Sequence, residues 1–521
     1  MSQQETADVL VIGSGMGGAT FAAGLAPSGA KILILERGER LADSDAARDA
    51  RAIFQRGVFR PRESWIDGAG QVFNPGNYYY VGGNTKLYGA VLIRYRAEDF
   101  APIAHQGGTT PGWPFAYEEL EPWYGRAEQL YNVRGALGAD RTEPHHSAPY
   151  PFGPVPDEPA IAAVRQRLKK VGLNPFSLPL GIDIDKWLAR ARTPWDAFPD
   201  IGHGKMDAES CGIARALAHD NVELRTAAQV ERLITEPDGK RIAGVEIERG
   251  GERSVIGARI VVLAAGAVNS AALLLRSKDG GLANRSDAVG RHFMNHNASA
   301  VLAIDPRVVN DSIYQKTIGI NDFYLGDGRG GPPLGNIQLL GRVTAPILKS
   351  SMRLLPEWAL GVMSRHAVDW YAMSEDLPSP DSRVTVDGKG IRLDWKRSNW
   401  ATHLALVAAL KERLRAAGYP VVLSKAFDRR TPSHQCGTVR IGRDGATSPL
   451  DPFCRAFDHP NLFVVDASFL PTSAAVNPSL TIAAQALRVA DHVATTDLNL
   501  AAASTSLTPH GEEARKRRLQ P

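Results

Sequence analysis

Cysteine is scarce: three in 521 residues, Cys211, Cys436 and Cys454, with no Cys-x-x-Cys pair. That pattern excludes a disulfide framework and a thiolate zinc site, and it suits a reducing compartment. No metal site is expected. Long apolar runs are also missing. The stretch from Val9 to Ile12 falls far short of the ~20 residues needed to span a bilayer. Met1 to Asp8 carries acids but no Lys or Arg, so it lacks a basic signal region and a twin arginine. Strong charge of one sign is absent as well. The net charge is +4, and the one basic block is Arg515-Lys516-Arg517-Arg518 at the end. Four basic residues in a tail are usually solvated, so neither nucleic acid nor a membrane is expected as a partner. A soluble, cytoplasmic protein is the expectation.

What is present is ordinary for a globular enzyme: 44% hydrophobic and 22% charged residues. The length suggests two joined domains. Fifty glycines and 34 prolines indicate many tight loops. Residues 8–12 and 31–35 read as buried parallel strands, and 16–26 between them as a helix, which makes a βαβ unit. A loop-rich, aromatic stretch follows over about 50–115, then a helix over 116–132. Residues 222–262 alternate as strands around a turn at Asp238-Gly239 and run into Leu263-Ala264-Ala265-Gly266. Strand-like runs are expected at 335–342 and 383–395, an amphipathic helix at 399–417, and strands and a final helix over 433–493. Beyond about 497 the chain reads as frayed. The fold class is α/β with an α+β second domain. A nucleotide-binding domain is expected from 1–150, 204–295 and 426–500. A mostly antiparallel substrate domain is expected from 151–203 and 296–425, and a tail from 501–521.

Gly13-Ser14-Gly15-Met16-Gly17-Gly18 fits GxGxxG between a strand and a helix. Gly13 permits the tight turn, Gly15 lets the backbone approach a pyrophosphate, and Gly18 allows close helix packing. The free N–H groups of the helix start then face the anion. Glu36 ends the second strand, where a carboxylate accepts hydrogen bonds from ribose hydroxyls. The glycines alone fit any βαβ turn; the acid in register points to a dinucleotide. This unit does not choose between NAD and FAD.

Other segments make that choice. They are Val81-Gly82-Gly83-Asn84-Thr85-Lys86-Leu87, Gly112-Trp113-Pro114-Phe115 through Glu128, Ala264-Ala265-Gly266-Ala267, and a C-terminal set. The last comprises Ser433-His434-Gln435-Cys436-Gly437-Thr438, Val464-Val465-Asp466-Ala467-Ser468 and Val476-Asn477-Pro478-Ser479. With these, the chain from about 7 to 495 resembles the glucose–methanol–choline (GMC) oxidoreductases, within them the pyranose-oxidase-like, glycoside 3-oxidase branch. The resemblance implies FAD. It places Gly82, Gly83, Asn84, Thr85 and Lys86 around the pyrophosphate and ring edge, and Val230 against adenine. Asp466 and Ala467 fall near the ribityl chain. Met16, Gly17, Arg37, Ala265, Pro478 and Ser479 join the cofactor contacts. Leu87 stands where some pyranose oxidases carry a histidine bonded to FAD. Leucine has no nucleophilic nitrogen, so the FAD is expected to be non-covalent.

Oxidising an alcohol removes a proton from oxygen and a hydride from carbon. The flavin takes the hydride, and the protein supplies the base. By the resemblance His434 is that base and Asn477 its partner. An unperturbed imidazole pKa of about 6.5 suits the role. Asn477 does not titrate and should position the hydroxyl. Asn477-Pro478 also reads as an N-cap and first position of a helix from Ser479, whose positive end would face the flavin. Gln338 is a candidate substrate contact. His145, His146, His292 and His296 have no such pairing and read as structural. The implied reaction is oxidation of a sugar or glycoside hydroxyl, C3 favoured over C2, with dioxygen or another acceptor taking the electrons. The alternatives are a GMC enzyme for a non-sugar alcohol, a lyase that keeps FAD as a relic, an NAD-linked reductase, and a non-catalytic sugar binder.

Overall fold

A computed structural model describes residues 5–388, 390–428 and 434–500. The strand Thr6–Ile12 is buried along its apolar run and lies parallel to both Ile32–Leu35 and Glu252–Leu263. Val222–Arg225 extends this sheet in parallel on one side. Leu462–Val464 pairs in parallel with Glu252–Leu263. Gln229–Thr235 and Ile242–Arg249 add an antiparallel meander at the other edge, giving seven strands. Buried parallel strands need both faces covered. The helices Met16–Leu25 and Ser479–His492 pack together, and Tyr117–Leu130 packs on the second of them. This core therefore joins the beginning, middle and end of the chain.

The second large sheet has six strands, all antiparallel: Val421–Ala426, Asn297–Ile304, Ala367–Ser374, Asn336–Leu339, Ile318–Ile320 and Phe176–Ser177. The helix Trp400–Ala416 buries Leu406, Leu410 and Leu414 in its core. Pro159–Lys170 adds Ile161, Val164 and Leu168.

Three local expectations change. The run 383–395 is a hairpin, Arg383–Asp387 and Gly390–Asp394. Its second strand pairs with Trp65–Asp67 of the first segment, so these residues bridge the two sheets' parts of the chain. Within the region read as plain loops, Arg51–Arg56 is helical. The last long helix starts at Ser479 with Pro478 at the capping position and no side-chain cap. Asn477 is not its N-cap, because its amide is engaged elsewhere. The expected tail 501–521 lies outside the described residues, as does Ser433. Among the described residues, no helix is long and apolar enough to cross a membrane, and no His/Cys/Asp/Glu group could hold a metal ion. The three cysteines are buried and unpaired.

Candidate active site

A cavity of about 490 Å³ runs from the end of the first βαβ unit to the C-terminal histidine. Glu36, Arg37 and Val230 line one end, Gly13 to Gly17 the middle, and His434, Asn477, Pro478 and Ser479 the other. Asn84, Thr85, Leu87, Ala265, Asp466 and Ala467 line it as well.

The glycine loop is shaped for an extended polar ligand. Gly13 has φ +101°, and a Cβ there would lie 2.4 Å from the Ala264 carbonyl oxygen. A Cβ on Gly17 would lie 2.1 Å from the Val465 oxygen, and one on Gly18 2.1 Å from the Gly13 oxygen. Gly15 differs: a Cβ there would meet nothing within 4 Å. Gly15 therefore faces open space at the helix start, where a pyrophosphate fits against free N–H groups. Ser14 ties the loop together. Its hydroxyl donates to Glu36 Oε2 at 2.7 Å and accepts from the Gly82 N–H at 3.1 Å. Glu36 also accepts from the Ser14 and Gly38 N–H groups, each at 3.0 Å. Burial raises its pKa, and these bonds oppose the rise. These features suit a dinucleotide of FAD's shape.

Four expected residues stand behind the cavity wall rather than in it: Gly18, Gly82, Lys86 and Gln338. Lys86 is buried, and its ammonium bonds Asp207 and Glu209 at 3.0 and 2.9 Å. It fastens the Gly83–Lys86 turn to the 207–209 segment. Asp466 lines the cavity, but both its oxygens are committed inward. They accept from the Gly266 and Ser468 N–H groups at 3.0 and 2.8 Å, and from the Ser270 and Ser468 hydroxyls. Its carboxylate holds two turns in place. Several cavity residues carry no sequence motif: Tyr78, Tyr79, Glu63, Asn269 and Arg276. The Arg37 guanidinium lies 4.0 Å from the Tyr79 ring centroid, a cation–π wall beside the cavity. The three consecutive tyrosines of 78–80 were the available signal, hidden in a loop.

At the other end, Asn477 Nδ2 lies 3.3 Å from His434 Nε2, and Gln338 Nε2 donates to Asn477 Oδ1 at 3.2 Å. His434 has φ +68°, a left-handed conformation that costs a non-glycine residue energy and clusters at functional sites. Burial holds its pKa well below the ordinary histidine value, with His296 and Lys316 adding to the effect. His296 is not the isolated structural residue expected. Its Nδ1 lies 2.8 Å from His434 Nδ1. The cause is a backbone bridge: Met294 and Cys436 exchange N–H···O bonds of 3.0 and 2.9 Å in antiparallel register. Two residues after Met294 and two before Cys436, in that register, His296 faces His434.

Comparison with known proteins fixes the family. The profile described as GMC oxidoreductase matches residues 199–298 and, in a C-terminal part, 378–486. That described as NAD(P)-binding Rossmann-like domain matches 11–79. A 6'''-hydroxyparomomycin C oxidase from Streptomyces lividus is 30% identical, over 94% of this chain and 92% of its own length. The chain belongs to the GMC oxidoreductase family. This GMC oxidoreductase is an FAD enzyme. It is also similar to a C-glycoside 3-oxidase from Microbacterium trichothecenolyticum, 27% identical over 94% of this chain and 96% of that one. Among solved structures, pyridoxine 4-oxidase from Mesorbium loti shares the fold. Its TM-score is 0.61 at 19% identity, covering 93% of this chain and 98% of the other.

Proposed function

We propose that this enzyme oxidises a hydroxyl of a sugar or glycoside to a carbonyl, with ring C3 favoured over C2. One observation carries the proposal: a single cavity joins the dinucleotide cradle to a half-buried His434–Asn477 pair. The names of two relatives, one for a 6'''-hydroxy compound and one for the 3-position of a C-glycoside, support the sugar class.

FAD bound in the cavity supplies the acceptor for the carbon-bound hydrogen and its electron pair. The chain's own residues do the rest. His434 takes the hydroxyl proton. Its depressed pKa keeps the ring neutral, and so able to accept, at neutral pH. Asn477 holds the hydroxyl oxygen through its amide, and Gln338 fixes that amide from behind. Gln338 is buried behind the cavity wall, so its part is to hold Asn477 in place. Pro478 and Ser479 put the N-terminus of a 14-residue helix at the cavity wall, where its partial positive charge stabilises added negative charge. Val230 lies at the Glu36 end, which suits the adenine moiety, and Leu87 leaves the FAD non-covalent. The division into an FAD-binding body of 1–150, 204–295 and 426–500 and a substrate-binding body of 151–203 and 296–425 follows the two large sheets. The 383–394 hairpin is the place where they interlock. With FAD held there, the electrons would leave to dioxygen or another acceptor.

The test is anaerobic mixing with a panel of sugars and glycosides, followed by product analysis. The account expects bleaching of the visible flavin band by a sugar and a keto sugar oxidised at C3. A C6 aldehyde would overturn the C3 assignment. Bleaching by aliphatic alcohols only would overturn the sugar class.

A further inference from the structure

The contacts around His434 form a chain whose donors and acceptors are set from its inner end. At the inner end, His296 Nε2 lies 2.9 Å from the Ser473 carbonyl oxygen and 2.8 Å from that of Ala474. Carbonyl oxygens only accept, so His296 Nε2 carries the hydrogen. A neutral imidazole has one N–H, which leaves His296 Nδ1 as an acceptor. His434 Nδ1, 2.8 Å away, must then donate. The His434 hydrogen therefore sits on Nδ1, and Nε2 is unprotonated and able to accept. The outer end is compatible with the same polarity. Asn477 Nδ2 is a donor group and faces His434 Nε2, which accepts. In this orientation Asn477 Oδ1 accepts from Gln338 Nε2.

The inner end is braced so that it cannot turn to suit the other tautomer. The Ser473 oxygen also accepts from the Tyr95 hydroxyl at 3.0 Å. The Ser473 hydroxyl donates to the Asp376 carbonyl at 2.9 Å. The Ala474 N–H donates to Glu375 Oε1 at 3.0 Å, and Ala474 has φ +50°. His296 is 2% exposed and is not among the residues lining the cavity. It stands behind the ring that meets the substrate. The charged groups facing the pair are Lys316, near His434, and Glu375, near His296. Burial lowers the pKa of both rings, which favours the neutral pair.

We propose that His296 is a positioning residue that locks His434 in the Nδ1–H tautomer, so that the lone pair of Nε2 faces the substrate hydroxyl. This deepens the reading of His434 as the base and rests on it. It also explains why one histidine suffices for the chemistry while a second is buried against it. Without His296 the His434 ring is free to carry its hydrogen on Nε2, where it has no base to offer.

Three measurements test this. The first reads the wild-type holoenzyme directly. With ¹⁵N-labelled histidine, His434 Nε2 should give the shift of an unprotonated, pyridine-type nitrogen and Nδ1 that of an N–H. The reverse assignment overturns the proposal. The second compares His296→Ala with His296→Asn by rapid-mixing flavin reduction. In asparagine, Oδ1 branches from the same carbon as histidine Nδ1 and can accept from His434. His296→Ala should retain FAD and substrate affinity but lower the limiting reduction rate by at least ~10-fold. The ceiling is ~10⁴-fold, the loss for a catalytic histidine held in the wrong tautomer. His296→Asn should recover most of that rate. A merely structural role would predict loss of FAD or of substrate binding, with no preference for asparagine, and that result overturns the proposal. The third is His434→Ala. If it reduces at the wild-type rate, the base assignment itself is wrong. If it is slow while His296→Ala is fast, only the tautomer lock fails.

Discussion

Two glycines of one loop should fail in different ways when changed to alanine. Gly15 has φ −69°, which alanine adopts without strain, and its added Cβ would meet no protein atom within 4 Å. Gly15→Ala should therefore leave the flavin-free protein as stable as wild type. The methyl group would occupy the space through which the backbone meets the pyrophosphate, so FAD affinity should fall by ~10-fold or more, about 1.4 kcal/mol. Gly17→Ala is the converse case. Its Cβ would sit 2.1 Å from the Val465 oxygen and 2.8 Å from the Val465 carbon. Both are backbone atoms, and the Val465 N–H is bonded to the Leu263 oxygen at 3.0 Å in the central sheet. The helix would have to retreat by ~1 Å in a close-packed interior, a strain of ~1–3 kcal/mol or more. The assay is the thermal midpoint of each flavin-free protein together with an FAD titration. Gly17→Ala should lower the midpoint, and Gly15→Ala should not. Wild-type FAD affinity in Gly15→Ala would refute the placement of the pyrophosphate.

Two further outcomes concern the cofactor. Glu36→Ala removes an acceptor of three bonds from Ser14 and Gly38 as well as the proposed ribose contact. FAD occupancy should drop by the equivalent of ~1.5–3 kcal/mol, the worth of a hydrogen bond to a charged group; unchanged affinity in the titration would contradict the role. Acid precipitation of the yellow holoenzyme should release all FAD to the supernatant, because Leu87 offers no atom for a covalent link; flavin left in the pellet would contradict this.

The nucleotide half of the site was legible because its chemistry is local. A strand, a glycine turn, a helix and the acid at Glu36 lie within one βαβ unit, and each residue type has a single physical reason to be there. The histidine pair was not legible. His296 and His434 meet through a non-local backbone bridge at Met294 and Cys436, and no period in the sequence announces it. The ion pairs of Lys86 were not legible for a related reason: its partners Asp207 and Glu209 arrive from a distant segment. Asn477-Pro478 fits an N-cap by propensity, but a bond to His434 and one to Gln338 outweigh the cap. Local rules gave way there at the site where the chemistry is expected.

The most direct test of the account is the pH dependence of anaerobic flavin reduction by the best sugar substrate, in wild type and in His434→Ala. The His434 pKa is lowered by burial, His296 and Lys316, so the ring is neutral above that value and gains a proton only as pH falls through it. The wild-type rate should therefore be flat through neutral pH and fall only on the acid side of the unperturbed ~6.5. His434→Ala should bind FAD, reduce it ~10²–10⁴-fold more slowly, and lose that acid limb. A mutant that reduces its flavin at the wild-type rate, with the same pH profile, would contradict the central claim.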